Sequence, residues 1–230
     1  MPLILNIDTA TDVASVCISK DGETLSLLDS HNQKEHASFI HVAIQKIMAD
    51  AGYSMNHLDA VSVTIGPGSY TGLRVGLATA KGICYALQKP LITESTLKVM
   101  AVAGTNHILQ NDLQVEHLCP MIDARRMEVF TAVYDMELKE ILQPQALVLE
   151  PHFFEEYMKK SMLMFFGNGC SKYSTEVHNA NAVFEEVQHN ASHLATLAEQ
   201  AFKEKKFADL AYSEPAYLKE FYTPAKSSKY

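Results

Sequence analysis

The chain has 230 residues, 47% of them hydrophobic, and a formal net charge of −8 at pH 7. That length allows one large domain or two small ones, and it buries roughly 70% of the unfolded surface, so no disulfide or metal staple is required. An acidic chain neutralises phosphates poorly unless its basic residues cluster. The clusters are thin (Lys203, Lys205 and Lys206 around Glu204; Lys219, Lys226 and Lys229), which disfavours strong RNA binding by the chain alone.

In chain order, residues 3–9 (LILNIDT) read as a buried strand. Residues 14–20 alternate in polarity, Asp21-Gly22 is a hairpin turn, and 23–30 return as a strand. From His36 to Ala51 the apolar residues Ile40, Ile44, Ile47, Met48 and Ala51 fall on one helical face, and Gly52 stops the helix. A strand at 58–65 leads through a glycine-rich loop into a helix at 70–88, followed by a short strand at 91–93 and a helix at 97–108. The order then partly repeats: strands at 117–122, 128–134 and 146–149, a helix at 151–160 opened by Pro151, a strand at 162–166 and a long helix at 192–205. Two units of three strands, helix, strand, helix predict duplicated α/β lobes with mixed sheets, dividing near Asn111.

Cys17, Cys84, Cys119 and Cys170 are widely spaced with no CxxC pair, which predicts reduced thiols rather than a zinc or disulfide framework. Met1 leads straight into a strand-like run, and no apolar run approaches the ~20 residues of a membrane span. The expectation is a cytoplasmic protein with no membrane partner.

The loop GPGSYTGLRVG, residues 66–76, has the general form of an anion site, a strand followed by a glycine turn and a helix N-terminus. Counting excludes the familiar versions. Five residues separate Gly66 from Gly72 where a Walker loop has four, and Leu73 follows, so it is not a Walker loop. Thr71 stands where GxGxxG needs its last glycine, and Ser69 lacks the flanking glycines of a nucleophile elbow. Beyond the loop, Gly72, Gly76 and Ala80 recur every four residues as a ridge of minimal side chains. Each interior glycine costs about 0.5–1 kcal/mol relative to alanine, so something must pack close to this backbone. Either the protein's own sheet or a partner helix fills that role.

The segment GPGSYTGLRVGLATAKG resembles the signature of the bacterial TsaB/YeaZ family, smaller relatives of the TsaD (glycoprotease-like) proteins. The resemblance covers the whole chain, through LNIDTAT at the start, HASFIHVAIQKIM, IDARRMEVFTAVY at 122–134 and EPAYLKEF at 214–221. It implies the fold of actin, sugar kinases and heat-shock chaperone ATPases, two related lobes of ribonuclease-H-like topology with mixed sheets flanked by helices. It also implies a role beside TsaD and the ATPase TsaE, which install threonylcarbamoyl on the adenosine next to the anticodon of ANN-decoding tRNAs. TsaD carries the chemistry; the TsaB-like chain is its dimerisation partner, self-associates, and meets tRNA only through the complex. The partner contact falls on the first two helices, where Phe39, Val42 and Ala43 extend an apolar surface and Gly72, Gly76 and Ala80 form the ridge. Asp8 and Asp123 are the equivalent first-strand acids of the two lobes and are expected at an interlobe cleft.

The residues argue against independent catalysis. His36 and His41 are five apart, about 140° around a helix, and cannot share a metal as an HxxxH pair does. No HExxH occurs. Thr9-Ala10-Thr11 follows Asp8 without a glycine to cradle phosphate, and Gly167-Asn168-Gly169 is only a short turn. The expectation is an accessory subunit with no metal and no cofactor; the alternative is an independent metallopeptidase or ATPase. The expected organisation is a partner-binding lobe over 1–110, a second lobe over 111–212, and a tail over 213–230. Tyr217, Leu218, Phe221 and Tyr222 should pack that tail back on the first lobe.

Overall fold

Strand β1 (Leu3–Asp8) is buried along its whole length because both of its faces are covered. The computed structural model describes residues 1–31, 36–159 and 161–219. Around β1 the first sheet runs β3-β2-β1-β4-β5, with β2 (Ala14–Lys20), β3 (Glu23–Ser30), β4 (Ala60–Gly66) and β5 (Leu91–Ser95). β1, β2 and β3 are antiparallel neighbours; β4 and β5 join in parallel. Side chains alternate across a strand. Leu3, Leu5 and Ile7 therefore share one core with helices α1 (His36–Asp50) and α2 (Tyr70–Leu87), while Ile4 faces the opposite side. The Asp21-Gly22 turn takes positive φ at both residues, as its sequence requires.

The second sheet repeats the pattern strand for strand. Its order is β10-β9-β6-β7-β8, with β6 (His117–Asp123), β7 (Glu128–Asp135), β8 (Glu140–Val148), β9 (Leu163–Phe166) and β10 (Ala182–Glu185). β6, β7 and β8 are antiparallel neighbours, and β9 and β10 are parallel to β6. The copy is worn where the first lobe carries two long helices. Here α4 (Glu155–Met158) and α5 (Ser171–Ser174) are single turns, and Phe154, Phe165 and Tyr173 fill the space in edge-to-face and tilted contacts. The helix expected over 151–160 is thus reduced to α4 after a turn at 151–154, the strand expected at 146–149 begins at Glu140, and β10 was not anticipated.

Two helices cross between the lobes. Helix α3 (Thr96–Asn111) lays Leu97, Met100, Ala101 and Ile108 on Leu118, Ile122 and Phe166 of the second sheet. Helix α6 (Ala191–Lys203) returns the other way, packing Ala198 and Ala201 on Ile4, Ala60 and Ile92 of the first. Val99 and Val102 of α3 meet Leu194 and Leu197 of α6, so this helix pair forms the seam. The segment after α6 straps back along the first lobe. Ala208 N–H donates to the Leu91 carbonyl, Lys81 Nζ donates to the carbonyls of Ala211 and Ser213, and Ala216 N–H donates to Ile65. Phe221 and Tyr222 lie outside the described residues, as does the side chain of His36.

Candidate functional site

The glycine loop holds its own chain. After β1, the turn at Thr9-Ala10 presses against the start of α2. Ser69 N–H donates to the Ala10 carbonyl at 2.7 Å, Thr9 Oγ1 donates to the Gly72 carbonyl at 2.7 Å, and Ser69 Oγ caps the helix by accepting from Gly72 N–H at 3.3 Å. A Cβ at Gly72 would lie 2.0 Å from the Thr9 carbonyl oxygen, and one at Gly76 2.3 Å from Thr9 Oγ1. Ala80 is fully buried in the same core. The ridge Gly72, Gly76 and Ala80 therefore serves the first lobe's own sheet and offers no partner surface; its small residues admit the β1–β2 turn. Ala43 is likewise buried and Phe39 half-buried, which leaves Val42, 67% exposed, as the openly exposed member of the six proposed contact residues.

The outward face of α2 carries a second row that the sequence reading passed over. Ala78, Gly82 and Ala86 also recur at four-residue spacing, all exposed, and a Cβ at Gly82 would meet nothing within 4 Å. Tyr85, 73% exposed, stands beside them. Helices α1 and α2 lie on the same side of the first sheet, so Val42 and this row belong to one outer layer. Next to it, a groove of about 280 Å³ runs between β3 and α1, lined by Leu28, Phe39, Val42 and Lys46. Two small-residue rows at the same spacing were the available signal; only their order of burial was missing.

Asp8 and Asp123 have different surroundings. Asp8 is buried, its Oδ1 accepting from Thr64 Oγ1 at 2.8 Å and from Ala10 N–H at 3.1 Å. Its Oδ2 stands 3.4 Å from His189 Nε2 and makes no hydrogen bond. Asp123 is exposed and pairs with Lys172 Nζ at 2.7 Å. Its carboxyl is held below the ordinary carboxylate value, because the burial penalty, the largest single effect, is outweighed by Lys172 and the Arg125 N–H and charge together. Asn168 bridges the lobes, accepting from Asp123 N–H at 2.9 Å and donating to Asp12 Oδ2 at 3.2 Å. The cleft between the β1–β2 turn, Met100, this asparagine and His189 holds about 120 Å³. Among the described residues no group of three His, Cys, Asp or Glu could hold a metal ion. Burial pushes the thiols of Cys17 and Cys84 up to about 11 and that of Cys119 to about 12, so none of the three is a poised thiolate. No described helix is long and apolar enough to cross a membrane.

Duplicated five-stranded mixed sheets joined by exchanged helices place the molecule in the actin-like ATPase fold class. Comparison with known proteins agrees. The YeaZ structure from Pseudomonas aeruginosa superposes with a TM-score of 0.79 at 23% identity, over 95% of this chain and 100% of that one. The activator of the 2-hydroxyisocaproyl-CoA dehydratase from Clostridium difficile, solved with bound ADPNP, shares the fold with a TM-score of 0.53 at 9% identity, over 89% and 97% of the chains. The family model described as TsaD, tRNA N6-adenosine threonylcarbamoyltransferase, matches residues 29–227. The tRNA threonylcarbamoyladenosine biosynthesis protein TsaB of Escherichia coli is 29% identical over 94% of both chains. A tRNA N6-adenosine threonylcarbamoyltransferase of Staphylococcus haemolyticus is 34% identical over 52% of this chain and 38% of its own. The chain therefore belongs to the tRNA N6-adenosine threonylcarbamoyltransferase family, as a TsaB/YeaZ member of it.

Proposed function

We propose that this chain is the non-catalytic dimerisation subunit of a cytoplasmic assembly that makes threonylcarbamoyladenosine in tRNA, and that it binds and supports a TsaD-type partner. TsaE joins the ternary complex, the chain self-associates in the partner's absence, and the partner carries the chemistry. In this reading the lobe built on residues 1–110 presents the partner face, backed by α6 from the 111–212 stretch and strapped by the tail.

The observation that supports this best is the outer layer of α1 and α2. Val42, Ala78, Gly82, Tyr85 and Ala86 reach solvent there. A row of small residues lets another helix approach at bundle distance, and an exposed aromatic beside it supplies an anchor. Such a contact is intolerant of added volume, at about 1–3 kcal/mol. Gly82→Leu is therefore expected to weaken association with a TsaD-type partner about tenfold to a hundredfold, read by calorimetry, with the circular dichroism spectrum unchanged. Full affinity in that variant would remove the face from the interface. Stoichiometric zinc or iron in the purified chain, or ATP hydrolysis by it alone, would favour the independent metallopeptidase or ATPase instead.

A further inference from the structure

The chain has three arginines, Arg74, Arg125 and Arg126, and the tail links the two elements that carry them. Arg74, on the first turns of α2, lies 3.9 Å above the Tyr70 ring and donates from Nε to Tyr217 OH at 3.0 Å. The rings of Tyr70 and Tyr217 are stacked at 5.3 Å and remain 40% and 45% exposed. Two residues on, a span of at most about 7 Å, Lys219 crosses to the second lobe and pairs with Glu128. Glu128 opens β7, directly after the hairpin tip that carries Arg125 and Arg126. Both tip arginines are exposed, at φ 69° and 49°, a backbone region that side chains other than Gly, Asn and Asp seldom adopt. Among the described residues neither guanidinium makes a hydrogen bond or a close ion pair, although the Arg125 charge acts on Asp123 at longer range. The adjacent carboxylates are engaged elsewhere, Asp123 by Lys172 and Glu128 by Lys219.

We propose that this bridge of Arg74, Tyr70, Tyr217, Arg125 and Arg126 is a contact surface for an RNA strand with unpaired bases. The exposed tip guanidiniums match phosphates in planar, bidentate fashion. The tyrosine pair offers an exposed aromatic surface on which an unpaired base stacks. An acidic peptide would use the arginines and leave the rings idle, which is why RNA is favoured. With a net charge of −8 the contact is weak in the isolated chain and steeply salt-dependent. The identity of the RNA, the anticodon arm of a tRNA, rests on the function proposed above.

The test uses the purified chain at low ionic strength with a fluorescent tRNA anticodon stem–loop, and separately measures assembly with a TsaD-type protein in the absence of RNA. The substitutions Arg125→Asn with Arg126→Asn keep a residue suited to the left-handed backbone. They should weaken RNA binding about tenfold and flatten the dependence of log K on log salt by about 1.4, at about 0.7 for each lost phosphate contact. Tyr217→Ala should cost about fivefold or more, and Tyr217→Phe much less, because the ring and not the hydroxyl stacks. Assembly with the partner should be unchanged in all of them. No RNA binding by the parent chain, or binding and salt slope unaltered by the arginine substitutions, would overturn the proposal. So would lost assembly with intact RNA binding, which would make the patch a protein interface. A parent chain that binds RNA but never assembles would instead defeat the subunit reading and leave this one standing.

Discussion

Gly72 and Gly82 sit on one helix with opposite surroundings, and their alanine substitutions should differ in sign. At Gly72 a new methyl would meet the Thr9 carbonyl oxygen at 2.0 Å, a backbone atom that cannot swing aside. Gly72→Ala is expected to cost about 1–3 kcal/mol, through overpacking. At Gly82 the same methyl meets open space, so only the helix propensity term remains, and Gly82→Ala should stabilise the chain by about 0.5–1 kcal/mol. Urea denaturation of the two variants reads both shifts; equal midpoints would mean that the two rows do not differ in packing. The four-residue spacing of small side chains was visible in the sequence for both rows, and the direction of each was not.

At the scale of elements, the strap after α6 has little secondary structure and several specific attachments. Its last described part is held by one backbone hydrogen bond, Ala216 to Ile65, by the Tyr217 ring on Tyr70 and Arg74, and by the surface ion pair of Lys219 with Glu128. A backbone bond contributes about 1 kcal/mol and an aromatic pair about 0.5–1.5 kcal/mol. Truncation after Glu214 should therefore lower the melting temperature by about 3–10 °C, given about 2–4 °C per kcal/mol at this chain length. An unchanged melting temperature would show that the strap's end adds nothing to the lobe. Aromatic density in EPAYLKEF pointed to docking from the sequence alone. The dock itself, the edge of Ile65 and the first turn of α2, lies about 150 residues upstream and carries no local mark.

For the whole molecule, acid should act at the seam between the lobes. His193, on the first turn of α6, is held below its ordinary value of 6.5 by burial first and by the neighbouring His189 second. A depressed histidine takes up its proton in the unfolded chain before the folded one, so stability is unaffected above pH 6.5 and falls as pH drops from there towards the folded value. His193→Gln should flatten the decline of the urea midpoint below pH 6.5; an unaltered decline would place the acid-sensitive group elsewhere. The seam also shows where local information ends. Alternating strands, the Asp21-Gly22 hairpin and the helical stripe of α1 were legible because their signals lie within a few residues of one another. The repeated strand order followed from those pieces, and the family signature followed from one contiguous loop. Strand β10 and the single-turn helix α5 were not legible, since each is set by what it packs on, whereas the equally short β9 showed in its apolar run. Residues 76 and 78 lie about 200° apart on a helix, so one row must face in and the other out, and only the position of Thr9 against α2 selects which. Arg74 and Arg125 are far apart along the chain, and no local pattern relates them. The elements that carry them are joined because a tail strap and a hairpin, fixed by two different sheets, meet at the Lys219–Glu128 pair.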